Sequence, residues 1–204
     1  MRVKICGINS ASAFDAAVQA GADYVGFVFY DRSPRAVSPE QAAGLSARAL
    51  GGPKRVGLFV NPDRQQLAGA LAQVHLDVLQ IHRVADVNDF RYFYLPIWHA
   101  LGVGAADDLP SDAKGADEWL LDAKPPAGST LPGGNAASFD WRILADWRGS
   151  TPWWLAGGLT PENVGEAIRV SGAQAVDVSS GVESALGVKD PARIAAFIDN
   201  ARKI

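Results

Sequence analysis

Apolar residues occur in eight short runs along the chain, and within most of these runs they do not alternate with polar residues. The runs are Val3–Ile8, Tyr24–Phe29, Arg55–Val60, Asp77–Ile81, Leu95–Val103, Glu118–Asp122, Trp153–Ala156 and Ala175–Ser179. A β-strand that is buried on both faces produces this pattern, because side chains on either side contact apolar neighbours. The pattern therefore predicts eight buried strands.

Helix signals lie between the predicted strands. A first helix is predicted from about Ser12 to Gly21, where glycine is a typical residue after the last helical turn. Later helices are indicated where a capping side chain precedes a proline at the first helical position. These pairs are Ser38-Pro39, Asn61-Pro62, Thr160-Pro161 and Asp190-Pro191.

Regular alternation of strand and helix predicts a compact, single-domain (β/α)₈ barrel (a TIM barrel) over residues 1–204. The main alternative is an open, doubly wound sheet. Such a sheet would carry a G-x-G-x-x-G turn after its first strand, whereas Cys6-Gly7-Ile8-Asn9 stands there. The least regular stretches are 83–95 and 124–138, and the second is a candidate active-site loop.

Composition and charge exclude several classes of function. The 204 residues are 48% hydrophobic and carry a net charge of −3 without a basic block, which disfavours nucleic-acid binding. No apolar run reaches the ~18 residues of a membrane span. One cysteine and three scattered histidines make neither a disulfide nor a zinc site. We expect a cytoplasmic protein without a metal.

In a (β/α)₈ barrel the functional groups lie at the C-terminal ends of the strands. Cys6 ends the first predicted strand; it is either a small buried apolar residue or, as a thiolate, a general base. Lys4 and Arg35 are possible sources of the positive field that a thiolate needs. Asp122 ends the sixth strand; it either caps a loop or is a carboxylic acid that apolar surroundings keep protonated.

Two further polar residues follow predicted strands. His82 ends the fourth strand and could be no more than a hydrogen-bonded structural residue. Arg35 follows Ser33-Pro34; it could be a solvated loop residue, but its planar guanidinium also suits a substrate carboxylate.

Glycine-rich turns follow the seventh and eighth predicted strands. Gly157 and Gly158 precede a capped helix, and Ser180 and Gly181 follow strand eight. Each turn alone could serve only to reverse the chain. Two such turns in adjacent loops favour a phosphate site, because backbone N–H groups and helix termini attract anions.

Together these residues belong to a pattern that resembles the phosphoribosylanthranilate isomerase family. The resemblance spans the whole chain in order and thins over 83–138. It is carried by Lys-Ile-Cys-Gly-Ile (4–8), Gly-Ala-Asp-Tyr-Val-Gly-Phe-Val-Phe (21–29), Ser-Pro-Arg (33–35), Val-Gly-Leu-Phe-Val-Asn (56–61), Leu-Gln-Ile-His (79–82), Phe-Asp-Trp (139–141), Leu-Ala-Gly-Gly-Leu-Thr-Pro-Glu-Asn-Val (155–164) and Val-Asp-Val-Ser-Ser-Gly-Val-Glu (176–183).

The resemblance implies a cofactor-free Amadori rearrangement in tryptophan biosynthesis. N-(5-phosphoribosyl)anthranilate would become 1-(2-carboxyphenylamino)-1-deoxyribulose 5-phosphate. By resemblance, Cys6 is the general base, Asp122 the general acid and Arg35 the ligand of the anthranilate carboxylate, while His82 and Asp177 line the substrate pocket. The phosphate loops would contain Gly157, Gly158, Ser180 and Gly181.

The resemblance also implies a phosphorylated small-molecule substrate as partner, and a monomer or homodimer. The sequence departs from the family pattern at Arg83, 88–94 and Ala136. These departures bear on catalytic efficiency more than on the type of reaction. The related isomerase of histidine biosynthesis uses paired aspartates, which Cys6 argues against, and pentose-phosphate epimerases need metal ligands of which only His82 is well placed. A catalytically weak, phosphate-binding homologue is the alternative from another class.

Overall fold

The computed structural model describes residues 1–124, 133 and 138–204. Eight parallel strands close into a barrel in chain order, with the last strand beside the first, which confirms the predicted (β/α)₈ architecture. The strands are Arg2–Cys6 (β1), Tyr24–Val28 (β2), Lys54–Val60 (β3), Val78–His82 (β4), Ile97–Val103 (β5), Glu118–Ala123 (β6), Trp153–Leu155 (β7) and Ala175–Val178 (β8). The antiparallel hairpin Glu183–Ala185 (β9) and Val188–Lys189 (β10) follows β8.

The helices form the outer layer of the barrel. The α-helices of the described ranges are Ala11–Gln19 (α1), Pro39–Ser46 (α2), Arg64–Leu71 (α3), Arg142–Ala145 (α4), Val164–Ser171 (α5) and Pro191–Arg202 (α6). None of these combines the length and the apolar character that crossing a membrane requires.

The helical layer is interrupted after β4 and β5. There the connections contain only the short 3₁₀ helices Asn88–Phe93 and Ala106–Asp108 instead of the α-helices that alternation predicts. The aromatic residues of the first stretch are poor helix formers, and Tyr94 ends it in the left-handed region at φ 55°. The candidate active-site loop 124–138 lies mostly outside the described residues.

The predicted helix starts are confirmed at two positions. The side chains of Ser38 and Asp190 accept hydrogen bonds from the first turns of α2 and α6. The predicted cap at Asn61 is wrong, because Asn61 lies in the left-handed region at φ 45° and the chain becomes helical only after Asp63. α5 likewise begins at Val164, later than Thr160-Pro161 suggested.

Alternation along each strand divides the side chains between two environments. In β1, Val3 and Ile5 face outward and pack in the large apolar cluster beneath the helices. Arg2, Lys4 and Cys6 alternate with them and therefore face the barrel interior. The barrel interior thus holds charged and reactive side chains from a strand whose sequence pattern is mostly apolar.

Aromatic side chains fill the N-terminal end of the barrel. The rings of Trp98 and Trp154 lie 4.4 Å apart, and Tyr24 contacts both of them. Glu118 accepts hydrogen bonds from Arg2 Nη2 at 2.8 Å and from Trp154 Nε1 at 2.8 Å. Side chains therefore fill this end of the barrel interior.

We predict that Trp98→Ala destabilises the protein by about 3–5 kcal/mol, because it leaves a cavity among rings that cannot collapse. Urea-induced unfolding measures the loss. The control is Tyr94→Ala, since Tyr94 is 92% exposed and should change the free energy of unfolding by no more than about 0.5 kcal/mol. Equal effects in the two variants would contradict the packing described for this end.

Candidate active site

Two adjoining cavities open at the C-terminal ends of the strands. The two differ in size and share a wall formed by Asp122, Gly133, Asp177 and Ser179. The larger cavity is also lined by Cys6, Arg35, Gln80 and His82. The smaller is also lined by Gly157, Gly158 and Ser180. The structure therefore brings together nearly all the residues that the sequence singled out.

Cys6 is almost completely buried and lies above an ion pair in the barrel interior. Lys4 Nζ is 2.9 Å from Asp177 Oδ1, and the lysine side chain is wholly inaccessible to solvent. Burial raises the pKa of the Cys6 thiol, and the positive charge of Lys4 opposes that rise. Burial alone would lower the pKa of Lys4, but the Asp177 carboxylate and Cys6 hold it above its usual value.

Asp122 stands at the end of β6, on the far side of the barrel from Cys6. Burial raises the pKa of its carboxyl to about 7, and the negative charge of Asp177 adds to the rise. The N–H of Ala123 donates to Oδ1 at 2.8 Å, which favours the ionised form and limits the effect. A substantial fraction of Asp122 is therefore protonated at neutral pH.

His82 is neutral and hydrogen-bonded within the barrel. Burial and the charge of Lys4 lower the pKa of the imidazole to about 3. The amide nitrogen of Gln80 lies 2.8 Å from His82 Nε2. This contact holds the neutral ring against the cavity wall.

Arg35 is buried against the hairpin that follows β8. Its Nε and Nη2 donate to the two carboxylate oxygens of Glu183 at 2.6 and 3.0 Å. Lys189 Nζ donates to Glu183 Oε1 at 2.7 Å and to the carbonyl oxygen of Ser179 at 2.9 Å. Burial would raise the pKa of Glu183, but Arg35 and Lys189 hold it below the usual value. These contacts fix the guanidinium at the cavity wall.

The glycine-containing turns that follow β7 and β8 approach each other closely. Gly157 and Gly158 have φ values of 86° and 65°, a region that favours glycine and lets the backbone line the smaller cavity. Gly181 does not line it. A β-carbon on Gly181 would lie 1.8 Å from the carbonyl oxygen of Leu159, so this glycine allows the eighth loop to pack on the seventh.

Sequence reasoning did not single out Gln80, Glu183 or Lys189. Glu183 lies 148 positions from Arg35, so no local signal could reveal their ion pair. Arg83, which follows His82, adopts the left-handed region at φ 58°, a conformation that favours glycine. Among the residues that the structure describes, no three side chains form a metal-binding cluster.

Comparison with known proteins identifies the family. The profile described as N-(5'phosphoribosyl)anthranilate (PRA) isomerase matches residues 3–200. The chain belongs to this family. The isomerase of this name from Paracoccus denitrificans is 54% identical over 98% of this chain and 96% of its own length. That from Granulibacter bethesdensis is 49% identical over 98% of both chains.

Solved structures of the family share the fold. The phosphoribosyl anthranilate isomerase of Thermotoga maritima superposes with a TM-score of 0.89 at 37% identity, covering both chains completely. A family structure in complex with reduced 1-(o-carboxyphenylamino)-1-deoxyribulose 5-phosphate has a TM-score of 0.86 at 36% identity, again over both complete chains. The predicted family and the predicted isomerase function in tryptophan biosynthesis are confirmed.

Proposed function

We propose that Cys6 and Asp122 catalyse the Amadori rearrangement of N-(5'-phosphoribosyl)anthranilate in this chain, as general base and general acid. The observation that carries the proposal is their placement on one cavity, at the ends of β1 and β6. Strands β7 and β8 separate β1 from β6 on one side of the barrel and four strands separate them on the other. A bound sugar would therefore lie between the two groups.

The acid step fits the state of Asp122. Protonation of the ring oxygen of the sugar breaks its bond to C1 and leaves a protonated Schiff base to the anthranilate nitrogen. An ordinary aspartate, with a pKa of about 3.9, would seldom carry the required proton at pH 7. The raised pKa of Asp122, about 7, keeps that proton available.

The base step follows on the other side of the sugar. The Cys6 thiolate removes the proton from C2, and the electron pair of that C–H bond moves to give an enol-amine, which tautomerises to the ketose. Each proton transfer by a positioned group contributes about 10²- to 10⁴-fold to the rate. The thiolate is the minor form of Cys6 at neutral pH, since burial raises the pKa of the thiol.

We place the phosphate of the substrate in the smaller cavity. The backbone of Gly157, Gly158 and Ser180 lines it, and Gly181 supports it through the close approach to Leu159. Backbone N–H groups at such turns bind anions and hold the sugar in place between acid and base. A family structure holds a phosphorylated ligand, which supports the presence of a phosphate site in this fold.

We assign the anthranilate end of the substrate to the larger cavity. Arg35 would pair with the carboxylate of the ligand, held in position by Glu183, and His82 and Asp177 would form the polar wall beside the sugar. We further propose that the chain works in the cytoplasm as a monomer or homodimer. The dimeric Thermotoga relative, of which monomers have been generated, supports that range of assembly states.

The proposed base is tested by Cys6→Ser. We expect kcat/KM to fall by at least about a hundredfold, because a hydroxyl is close in size to the thiol but much harder to ionise. The variant should still bind reduced 1-(o-carboxyphenylamino)-1-deoxyribulose 5-phosphate, and inorganic phosphate should still compete with that ligand. Calorimetry measures both. Circular dichroism verifies the fold. If Cys6→Ser retains more than about a tenth of kcat/KM, Cys6 is not the base.

The pH dependence of kcat/KM tests the pair. The active form needs a protonated Asp122 and an ionised Cys6, yet the pKa of Asp122, about 7, lies below that of the buried thiol. We expect kcat/KM to rise about tenfold per pH unit up to about pH 7, because the thiolate fraction grows while Asp122 stays protonated. A plateau follows, since further gain in thiolate is offset by loss of the acid. Above the thiol pKa the value falls.

Asp122→Asn assigns the acid in that profile. The amide matches the carboxyl in shape but delivers no proton, so turnover should be lost at every pH while the reduced product still binds. Turnover close to that of the unmodified protein would refute the acid role.

A further inference from the structure

Lys4 is a charged side chain buried in the protein interior, and its position suggests a reason. It occupies the barrel interior between the aromatic rings at one end and the cavity at the other, with no exposure to water. Burial of an ammonium is unfavourable unless it is paired and hydrogen-bonded. An apolar side chain would fill the same space without that cost, so the charge calls for an explanation.

Lys4 and Cys6 lie beside the same glycine inside the barrel. They are separated by one residue on β1 and therefore face the same side of the strand. On β2, Gly26 lies opposite Cys6, and its lack of a side chain leaves room for both groups. A β-carbon on Gly26 would lie 3.0 Å from Cys6 Sγ and 3.2 Å from Lys4 Nζ, so any side chain at this position would intrude between the thiol and the ammonium.

Asp177 holds the ammonium in this position. It pairs with Lys4 in register between β8 and β1, and its Oδ1 accepts from Lys4 Nζ at 2.9 Å. This contact keeps the lysine charged and keeps its Nζ beside the cysteine instead of turned toward the aromatic end. The carboxylate also acts on the thiol directly, since its negative charge disfavours a thiolate.

We propose that Lys4 is a positioning residue that stabilises the thiolate of Cys6, with Asp177 fixing its ammonium. This inference rests on the proposed function, in which the thiolate removes the C2 proton. When the thiolate accepts that proton, Lys4 remains an ammonium paired with Asp177, so the charge on the protein rises by one and the pair itself does not exchange protons.

Other charged or titratable groups face the same cavity and were weighed against Lys4. Those that line the larger cavity are Tyr30, Arg35, His82, Asp122 and Asp177, and Glu183 and Lys189 pack behind Arg35. Lys189 also favours the thiolate, but its Nζ already donates to Glu183 and Ser179. His82 is neutral at working pH. Of the groups acting on Cys6, Lys4 has the largest effect in favour of ionisation.

The experiment is alkylation of Cys6 by iodoacetamide as a function of pH. The thiolate attacks the methylene carbon, a C–S bond forms and iodide leaves, so the rate follows the thiolate fraction. Because the chain has one cysteine, the gain in mass that is absent from Cys6→Ser reports Cys6. The readout needs no turnover and is therefore independent of whether Cys6 is the base.

Two substitutions should move the alkylation midpoint in opposite directions. Lys4→Met removes the charge at similar length; we expect a midpoint at higher pH and at least a tenfold slower reaction at pH 8, equivalent to a rise of one or more in the thiol pKa. Asp177→Asn removes the carboxylate charge that disfavours the thiolate but keeps an amide oxygen that can accept from Lys4 Nζ, so the ammonium stays in place and we expect a lower midpoint. The control is Lys54→Met, whose lysine contacts the ring of Tyr24 at the aromatic end and should change nothing.

A purely structural role for the pair gives a different result. If Lys4 serves only to neutralise Asp177, either substitution loosens the barrel. Both variants then change the alkylation rate in the same direction, and their circular dichroism spectra change as well. An unmoved midpoint in a folded Lys4→Met protein, or a raised midpoint in Asp177→Asn, overturns the proposal. If Lys4→Met does not fold, the direction of the Asp177→Asn shift decides. Full turnover in Cys6→Ser would instead refute the base role and leave the Lys4 effect on the thiol standing.

Discussion

The buried ion pair between Lys4 and Asp177 links the closure of the barrel to the chemistry at its mouth. The two residues are 173 positions apart and meet where β1 and β8 join. The contact that brings the ends of the chain together therefore also places a fixed positive charge below Cys6. A barrel closed in another register would move Asp177 away from Lys4, so the surroundings of the proposed base depend on the topology as well as on its own strand.

Desolvation acts in the same direction on both proposed catalytic groups but has opposite consequences for them. For Asp122 it raises the pKa to about 7 and keeps the proton that an acid must deliver. For Cys6 it raises the pKa of a group that must lose its proton. The positive charge of Lys4 offsets part of that unfavourable effect. In the proposed mechanism, the cation beside the base lets one buried site hold both an acid and a base.

The barrel could be predicted from the sequence because each of its strands is a local apolar run, and the strand starts agree with the structure to within two residues. The sequence offered Lys4 as a possible source of positive charge near Cys6, but the pattern did not show that its side chain faces the barrel interior. Lys4 alternates with Val3 and Ile5, and a strand with both faces buried gives no sign of which side chain faces a helix and which faces the cavity. Cys6 and Asp122 could be found because they stand where the strands end.

Contacts between distant parts of the chain account for most of what the sequence left out. Arg35 was predicted as a ligand for a carboxylate, but its pairing with Glu183 joins the loop after β2 to the hairpin after β8, and no spacing reveals that. The short 3₁₀ connections after β4 and β5 were missed for a different reason. There the alternation of the fold predicted helices that the local aromatic and turn-forming residues do not support.

The protonation state of Cys6 in the ligand-free protein is the most direct measure of this account. Infrared spectroscopy detects the S–H stretch, and the single cysteine makes that band specific to Cys6. The band should be present at pH 7, should disappear only in the alkaline range, and should persist to a higher pH in Lys4→Met. A band already absent at pH 7, or a titration that Lys4→Met leaves unchanged, would contradict the claim that burial suppresses the thiolate and that Lys4 partly restores it.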